Sequence, residues 1–290
     1  MALINNEGEP VSRAWVSKAL SILKTDKEIF STSNMRRARL EFIAGKNRLV
    51  TIKSWLVAAN LIQNGKNSRE KELTNFGLCV LEMDPKLEKS STWWAFHLAT
   101  CFSNESEPYK SFFLNLDTLS KDWSKSKDII LKTKSALKQE NGDAYSDDTL
   151  DKLFRGVRLM FQDDHPLADL GLIELRKNHA EDKQIYMRLG SPKLTNEIIA
   201  HALAMLRFHV FKKRSTVDFS ELIKAGLPHF LCCSPETLRL HLRRMNQAND
   251  WKNCFSFTEA VNLDSISFEH ECEPDKTLVR LLNSGNDTWL

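Results

Sequence analysis

The sequence predicts a mainly α protein with small β hairpins, an α+β fold whose first part resembles a winged helix. Three observations lead there. Apolar residues recur at helical spacing through most of the 290 residues. Short alternating runs occur only in pairs next to turn residues. An Asn-Gly at Asn64-Gly65 follows three successive helical patterns, the order of a helix-turn-helix with a hairpin wing.

The first helix is expected over 11–23, with Trp15, Ala19, Ile22 and Leu23 in register and Ser12 as its cap. The second covers 33–43 through Met35, Leu40 and Ile43, and Gly45 punctuates it. The third runs over 47–60. Leu49, Ile52, Leu56 and Ala59 share one face, and Thr51, Ser54 and Ala58 lie opposite. This is the helix nearest the hairpin, the one that in a winged helix can enter the major groove. Trp93, Trp94, Phe96, His97, Phe102, Tyr109, Phe112 and Phe113 then crowd into 91–113. That density reads as core with a hydrogen-bonded histidine, against the alternative of a stacking platform for bases.

The polar, Gly-containing stretch 138–148 is read as a linker. The organisation that follows is a winged-helix-like DNA-binding module at 1–90, an aromatic-rich helical segment packed on it at 91–137, the linker, and a C-terminal helical domain at 149–290. That last part offers a helix over 148–161, strands over 170–175 and 184–189, and helices over 196–211, 218–225 and 235–247. Phe255–Phe257 and Ile266–Phe268 close it as strands, giving a second winged-helix-like unit.

Composition bounds the function. Charge totals only +3, so no global field draws the chain to a polyanion. Local clusters do the work instead. Between residues 34 and 53, Arg36, Arg37, Arg39, Lys46, Arg48 and Lys53 face Glu41 alone, with Asn47 at a helix start. Arg239, Arg243 and Arg244 surround the apolar face of the 235–247 helix. Both sets are candidate DNA contacts, and docking of another protein is the competing reading of each. The six cysteines form no CxxC pair and are expected reduced. No apolar run reaches the roughly 20 residues of a membrane span, and residues 1–10 lack a secretory signal, so a cytoplasmic location is expected.

Phosphate-loop, GxSxG, HExxH and dinucleotide-binding motifs are missing, which argues against nucleotide or redox cofactors. The nearest arrangement for metal-assisted phosphodiester hydrolysis is Asp163-Asp164 before a strand with Glu174 near its end, where oxygen ligands suit Mg2+ or Mn2+. Its spacing departs from known nuclease sites. Tyr109 and Tyr186 are the candidates for a covalent nucleophile, and nothing nearby activates either.

A set of ordered segments resembles the DUF4007 family of bacterial proteins. They are Arg13-Ala14-Trp15-Val16-Ser17-Lys18, Gly45-Lys46-Asn47, Ile52-Lys53-Ser54-Trp55-Leu56, Leu73-Thr74-Asn75-Phe76-Gly77, Asp84-Pro85, Thr92-Trp93-Trp94 to His97, and Pro166 to Ile173. Phe42-Ile43-Ala44 departs from the Leu-Gly-Val the family tends to show. The resemblance implies a place in DNA phosphorothioation, in which sulfur replaces a non-bridging phosphate oxygen as a defence mark. It further implies double-stranded DNA as a partner, with a cysteine desulfurase, an ATPase and a sulfur-transfer protein, and a role in nicking one strand. A non-catalytic adaptor is the second expectation, and a regulator acting as a homodimer the third.

Overall fold

A computed structural model describes residues 7–119, 122–141, 145–162, 164–177, 184–248, 250–260 and 264–284. Asp163 and residues 142–144 of the expected linker lie outside the described residues. The chain is mainly helical with small antiparallel sheets, as its periodicity predicts.

The first elements are α1 (Arg13–Leu23), α2 (Met35–Phe42), α3 (Lys46–Ala58), β1 (Ile62–Asn64), β2 (Lys71–Leu73) and α4 (Asn75–Met83). β1 and β2 pair antiparallel, with Ile62 opposite Leu73 and Asn64 opposite Lys71. Asn64-Gly65 is not the expected two-residue turn. The loop runs to Glu70, where the Gly65 amide donates to the Glu70 carbonyl (3.1 Å), and Asn67 accepts from the Arg69 and Glu70 amides. Thr74 caps α4 by accepting from the Gly77 amide (3.1 Å), while its hydroxyl donates to the Asn60 carbonyl (2.6 Å). A Cβ on Gly77 would lie 2.2 Å from the Leu61 carbonyl oxygen, so only glycine lets α4 approach β1.

α5 (Ser90–Phe102) is buried from Ser91 to Phe102 and forms the centre of the core, with α6 (Glu107–Leu114) beside it. The aromatic block is therefore core. Trp55 of α3 meets Phe96 and Tyr109 at 6.4 and 6.2 Å, which joins the first helices to α5 and α6.

Next come β3 (Ser124–Lys125), α7 (Ser126–Asn141), α8 (Asp147–Leu159), β4 (Ile173–Lys177) and β5 (Ile185–Leu189), the strands ordered β3-β5-β4. The acids at 147–151 are paired rather than left as a negative face: Lys134 meets Asp151 at 2.6 Å, Lys138 meets Asp147 at 3.0 Å and Lys152 meets Asp148 at 2.8 Å. The remaining elements are α9 (Asn196–His209), β6 (Thr216–Asp218), α10 (Phe219–Lys224), α11 (Leu227–Phe230), α12 (Pro235–Ala248), β7 (Phe255–Thr258), β8 (Ser265–Phe268) and α13 (Pro274–Ser284). β6, β8 and β7 form an antiparallel sheet in that order, so the expected C-terminal strand pair gains a third member. Ser234 caps α12 by accepting from the Thr237 amide (3.1 Å), as its Ser-Pro start predicts. One apolar cluster runs from Val11 to Leu282. Among the described residues no helix is long and apolar enough to cross a membrane.

Candidate nucleic-acid interface

α2 and the start of α3 make an exposed corner. α2 turns Ala38 and Phe42 inward, where Phe42 meets Phe30 at 5.6 Å, and leaves Arg36, Arg37 and Arg39 outside. Ile43 ends the helix in the left-handed conformation (φ 51°, ψ 47°), and the Ala44 amide reaches back to the Arg39 carbonyl (3.1 Å). α3 then begins at Gly45 without a side-chain cap and without an acid in its first turn, so its leading amides stay open to an anion beside exposed Lys46, Asn47 and Arg48.

The cations at the corner are not equivalent. Arg37 is tied to Asp26. Arg48 lies 4.8 Å over the Trp15 ring and 3.4 Å from Glu9. Arg36, Arg39 and Lys46 have no ion pair with a described residue. Lys53 is half-buried and lines, with Lys46 and Lys71, a cleft of about 880 Å³ between α2, α3 and the hairpin. Lys71, unnoticed in the sequence, is only 8% exposed and donates to the Asn64 side chain across the hairpin. Burial, then the charge of Lys53, lowers its pKa.

The side of α3 opposite its apolar face is buried as well. Thr51, Ser54 and Ala58 are as enclosed as Leu49, Ile52 and Leu56, so full exposure is confined to the first turn of the helix. The small hydroxyl side chains permit this, since Ser54 donates to the Val50 carbonyl one turn back (2.8 Å) and needs no water, while Val50, Lys53 and Val57 stay half-buried along the cleft.

α12 presents its predicted arginines around buried Leu238, Leu242 and Met245. Acids flanking the β7–β8 connection hold two of them. Arg243 forks onto Glu259 at 2.8 and 2.6 Å, and Arg239 meets Asp264 at 2.9 Å while lying over Phe219. Arg244 is exposed and has no ion pair with a described residue.

The acidic candidates separate. Glu174 on β4 receives both Nε and Nη2 of its cross-strand neighbour Arg188, at 2.8 and 2.6 Å, which already neutralises it. Arg188 and Arg176 also lie 4.6 and 4.7 Å over Trp123. Asp164 is exposed with φ 70°. Asp169, which the spacing argument missed, has its pKa raised by burial first; Arg13 opposes the shift and Asp164 adds to it. Arg13 keeps a buried Nε without a hydrogen-bond partner. Among the described residues no three His, Cys, Asp or Glu side chains converge as a bound cation requires. Tyr109 is fully buried and raised well above the usual phenol pKa by burial, and Tyr186 lies beneath Arg176.

His97 spans the core, its Nδ1 2.9 Å from the Tyr109 hydroxyl and its Nε2 2.8 Å from the Phe230 carbonyl. A carbonyl only accepts, so Nε2 carries the proton and Nδ1 takes the tyrosine hydrogen. Burial pushes the histidine pKa down to about 4.

Comparison with known proteins follows from this geometry. The family model described as "Protein of unknown function (DUF4007)" matches residues 7–282. The chain belongs to the DUF4007 family. No curated protein matches it by sequence. The magnesium ion-bound crystal structure of SspB shares its fold with a TM-score of 0.76 at 17% identity, covering 97% of this chain and 86% of that one. A second SspB crystal structure gives 0.72 at 16% identity with the same coverage. At such identities the likeness is one of fold. Most DUF4007 segments in this chain serve that fold. Thr74 and Gly77 set α4 on the hairpin, and Asp84 accepts from the Glu88 and Lys89 amides and the Thr92 hydroxyl. Trp93 donates to the Leu87 carbonyl (3.0 Å). Arg13 and Asp169 are family-segment residues outside that framework, and the charge of Arg13 acts on the Asp169 carboxyl against its partial burial.

Proposed function

We propose that this chain is a DNA-binding component of a phosphorothioate modification system, which grips the duplex backbone at the α2–α3 corner and nicks one strand so that sulfur can be inserted. The observation that carries the reading is the set of exposed cations Arg36, Arg39 and Lys46, without an ion pair among the described residues, beside the uncapped start of α3. Guanidinium, ammonium and open backbone amides at one helix end are what a phosphate track needs. Membership of DUF4007 and a fold shared with SspB support the system. A cysteine desulfurase, an ATPase and a sulfur-transfer protein would be its partners.

The C-terminal unit is the second DNA surface in this reading. Its helix–strand–helices–strand–strand order, with the first strand beside the third, matches the connectivity of a winged helix and supports α12 as the groove-entering helix, with Arg244 its cation without an ion pair among the described residues.

For nicking, a Mg2+ or Mn2+ ion would supply Lewis-acid stabilisation of the phosphate oxygens. Asp164 and Asp169 would offer it two hard oxygen donors, short of a full protein ligand set among the described residues, and the unsatisfied Nε of Arg13 could donate to an anion. Glu174 serves less well, since Arg188 occupies it. Asp163 retains its place as a proposed ligand from the sequence alone.

Supercoiled plasmid incubated with the purified protein, with Mg2+ or Mn2+ and with chelator, tests the catalytic part. Open circles that vanish in chelator and in Asp164→Ala support the nickase; conversion surviving Asp164→Ala moves the site elsewhere. No conversion leaves the non-catalytic adaptor, which recruits the sulfur-transfer machinery. Lys46→Glu with Arg48→Glu should weaken duplex binding at least tenfold and flatten its salt dependence, and unchanged binding removes the corner from the reading.

A further inference from the structure

α2 has an outward stripe as well as an inward one. Arg36 stands one turn before Leu40, and Arg39 one turn before Ile43, so cationic and apolar side chains alternate along the exposed side. Leu40 is 74% exposed and Ile43 is 88% exposed. Neither helps to fill the core. Ile43 also holds a left-handed backbone that a β-branched residue adopts only under strain, at the position where glycine would cost nothing. Retaining such a side chain in full solvent calls for a use outside the fold.

We propose that Leu40 and Ile43 form an apolar wedge that enters between base pairs of duplex DNA, unstacking a step while Arg36, Arg39 and Lys46 hold the phosphates on either side. This rests on the DNA-binding reading of the corner and deepens it. Charge selects the occupant. Cations flank the two apolar side chains from both ends of the helix-turn, and Glu41 is the sole acid on α2. Size selects the mode. A stable protein partner needs roughly 800 Å² on each side, far more than two side chains offer, whereas one or two Leu or Ile side chains are the size of wedge that separates a base step.

Permanganate oxidation of unstacked thymines in a thymine-rich duplex, read at every position, tests the wedge alongside binding measured by fluorescence anisotropy in low salt. Wild-type protein should bind and raise thymine reactivity several-fold. Leu40→Ala with Ile43→Gly should bind with the cations intact yet leave reactivity at the level of free duplex. Leu40→Gln, with a polar side chain of similar length, should lose most of the rise. Thermal melting of each variant establishes that it is folded. Wild-type binding without increased reactivity, or an undiminished rise in the double variant, overturns the wedge and leaves the DNA reading standing. Failure of the wild type to bind duplex removes both.

Discussion

Replacing Ile43 with glycine should make the protein more stable, although it deletes an apolar side chain. An L-residue in the left-handed region carries roughly 1–2 kcal/mol of steric cost, and a β-branched one belongs at the upper end. Ile43 sits there with φ 51°, and its side chain is 88% exposed, so little burial is lost with it. Glycine returns part of the gain, about 0.5–1 kcal/mol, through its freer unfolded chain. The balance is about 0.5–1 kcal/mol in favour of the variant, or about 1–4 °C in Tm for a chain of this size. The closing bond from the Ala44 amide to the Arg39 carbonyl, 3.1 Å, uses backbone only and survives the change. Urea unfolding followed by far-ultraviolet circular dichroism is the assay, and an unchanged slope certifies that only the midpoint moved. Ile43→Ala keeps the positive φ and should gain less. A midpoint that falls for Ile43→Gly would refute the strain argument, because the side chain would then hold a contact its exposure does not reveal.

Acid should weaken the fold through two buried histidines. His97 and His201 have folded pKa values near 4 through burial, against 6.5 for the free side chain, so the unfolded chain binds more protons below pH 6.5 and stability drops as pH falls towards 4. At pH 5 each has lost about 2 kcal/mol, and urea midpoints matching at pH 7 and pH 5 would contradict this. Gly77→Ala should lower the melting temperature by several degrees, since its Cβ would collide with the Leu61 carbonyl. Glu259→Gln with Asp264→Asn should free Arg243 and Arg239 and raise duplex affinity a few-fold with a steeper salt slope; unaltered binding would place α12 outside the interface.

The helical periods, the Ser234 cap and the aromatic core were legible in the sequence because each depends on residues near one another along the chain. The third strands were not. β3 has two residues and β6 three, too few to show alternation, and pairing with distant β5 and β8 defines them. α3 misled for a related reason. Its Thr51 and Ser54 look like a wet face, but both are buried beside Trp55, whose ring packs on Phe96 of α5, and only the fold brings that partner there. For the interface, the sign of the charge at the corner could be read locally. Which cations remain available could not, because Asp26, Glu9, Glu259 and Asp264 claim theirs across gaps in the chain.

The imidazole of His97 is a rivet between the two halves of the chain. It clasps α6 through the tyrosine hydroxyl and the end of α11 through a carbonyl, with both ring nitrogens committed and no solvent to replace either partner. Hinging there would strand polar atoms in a dry interior. The helices on either side of it are thus kept from swinging apart at this point.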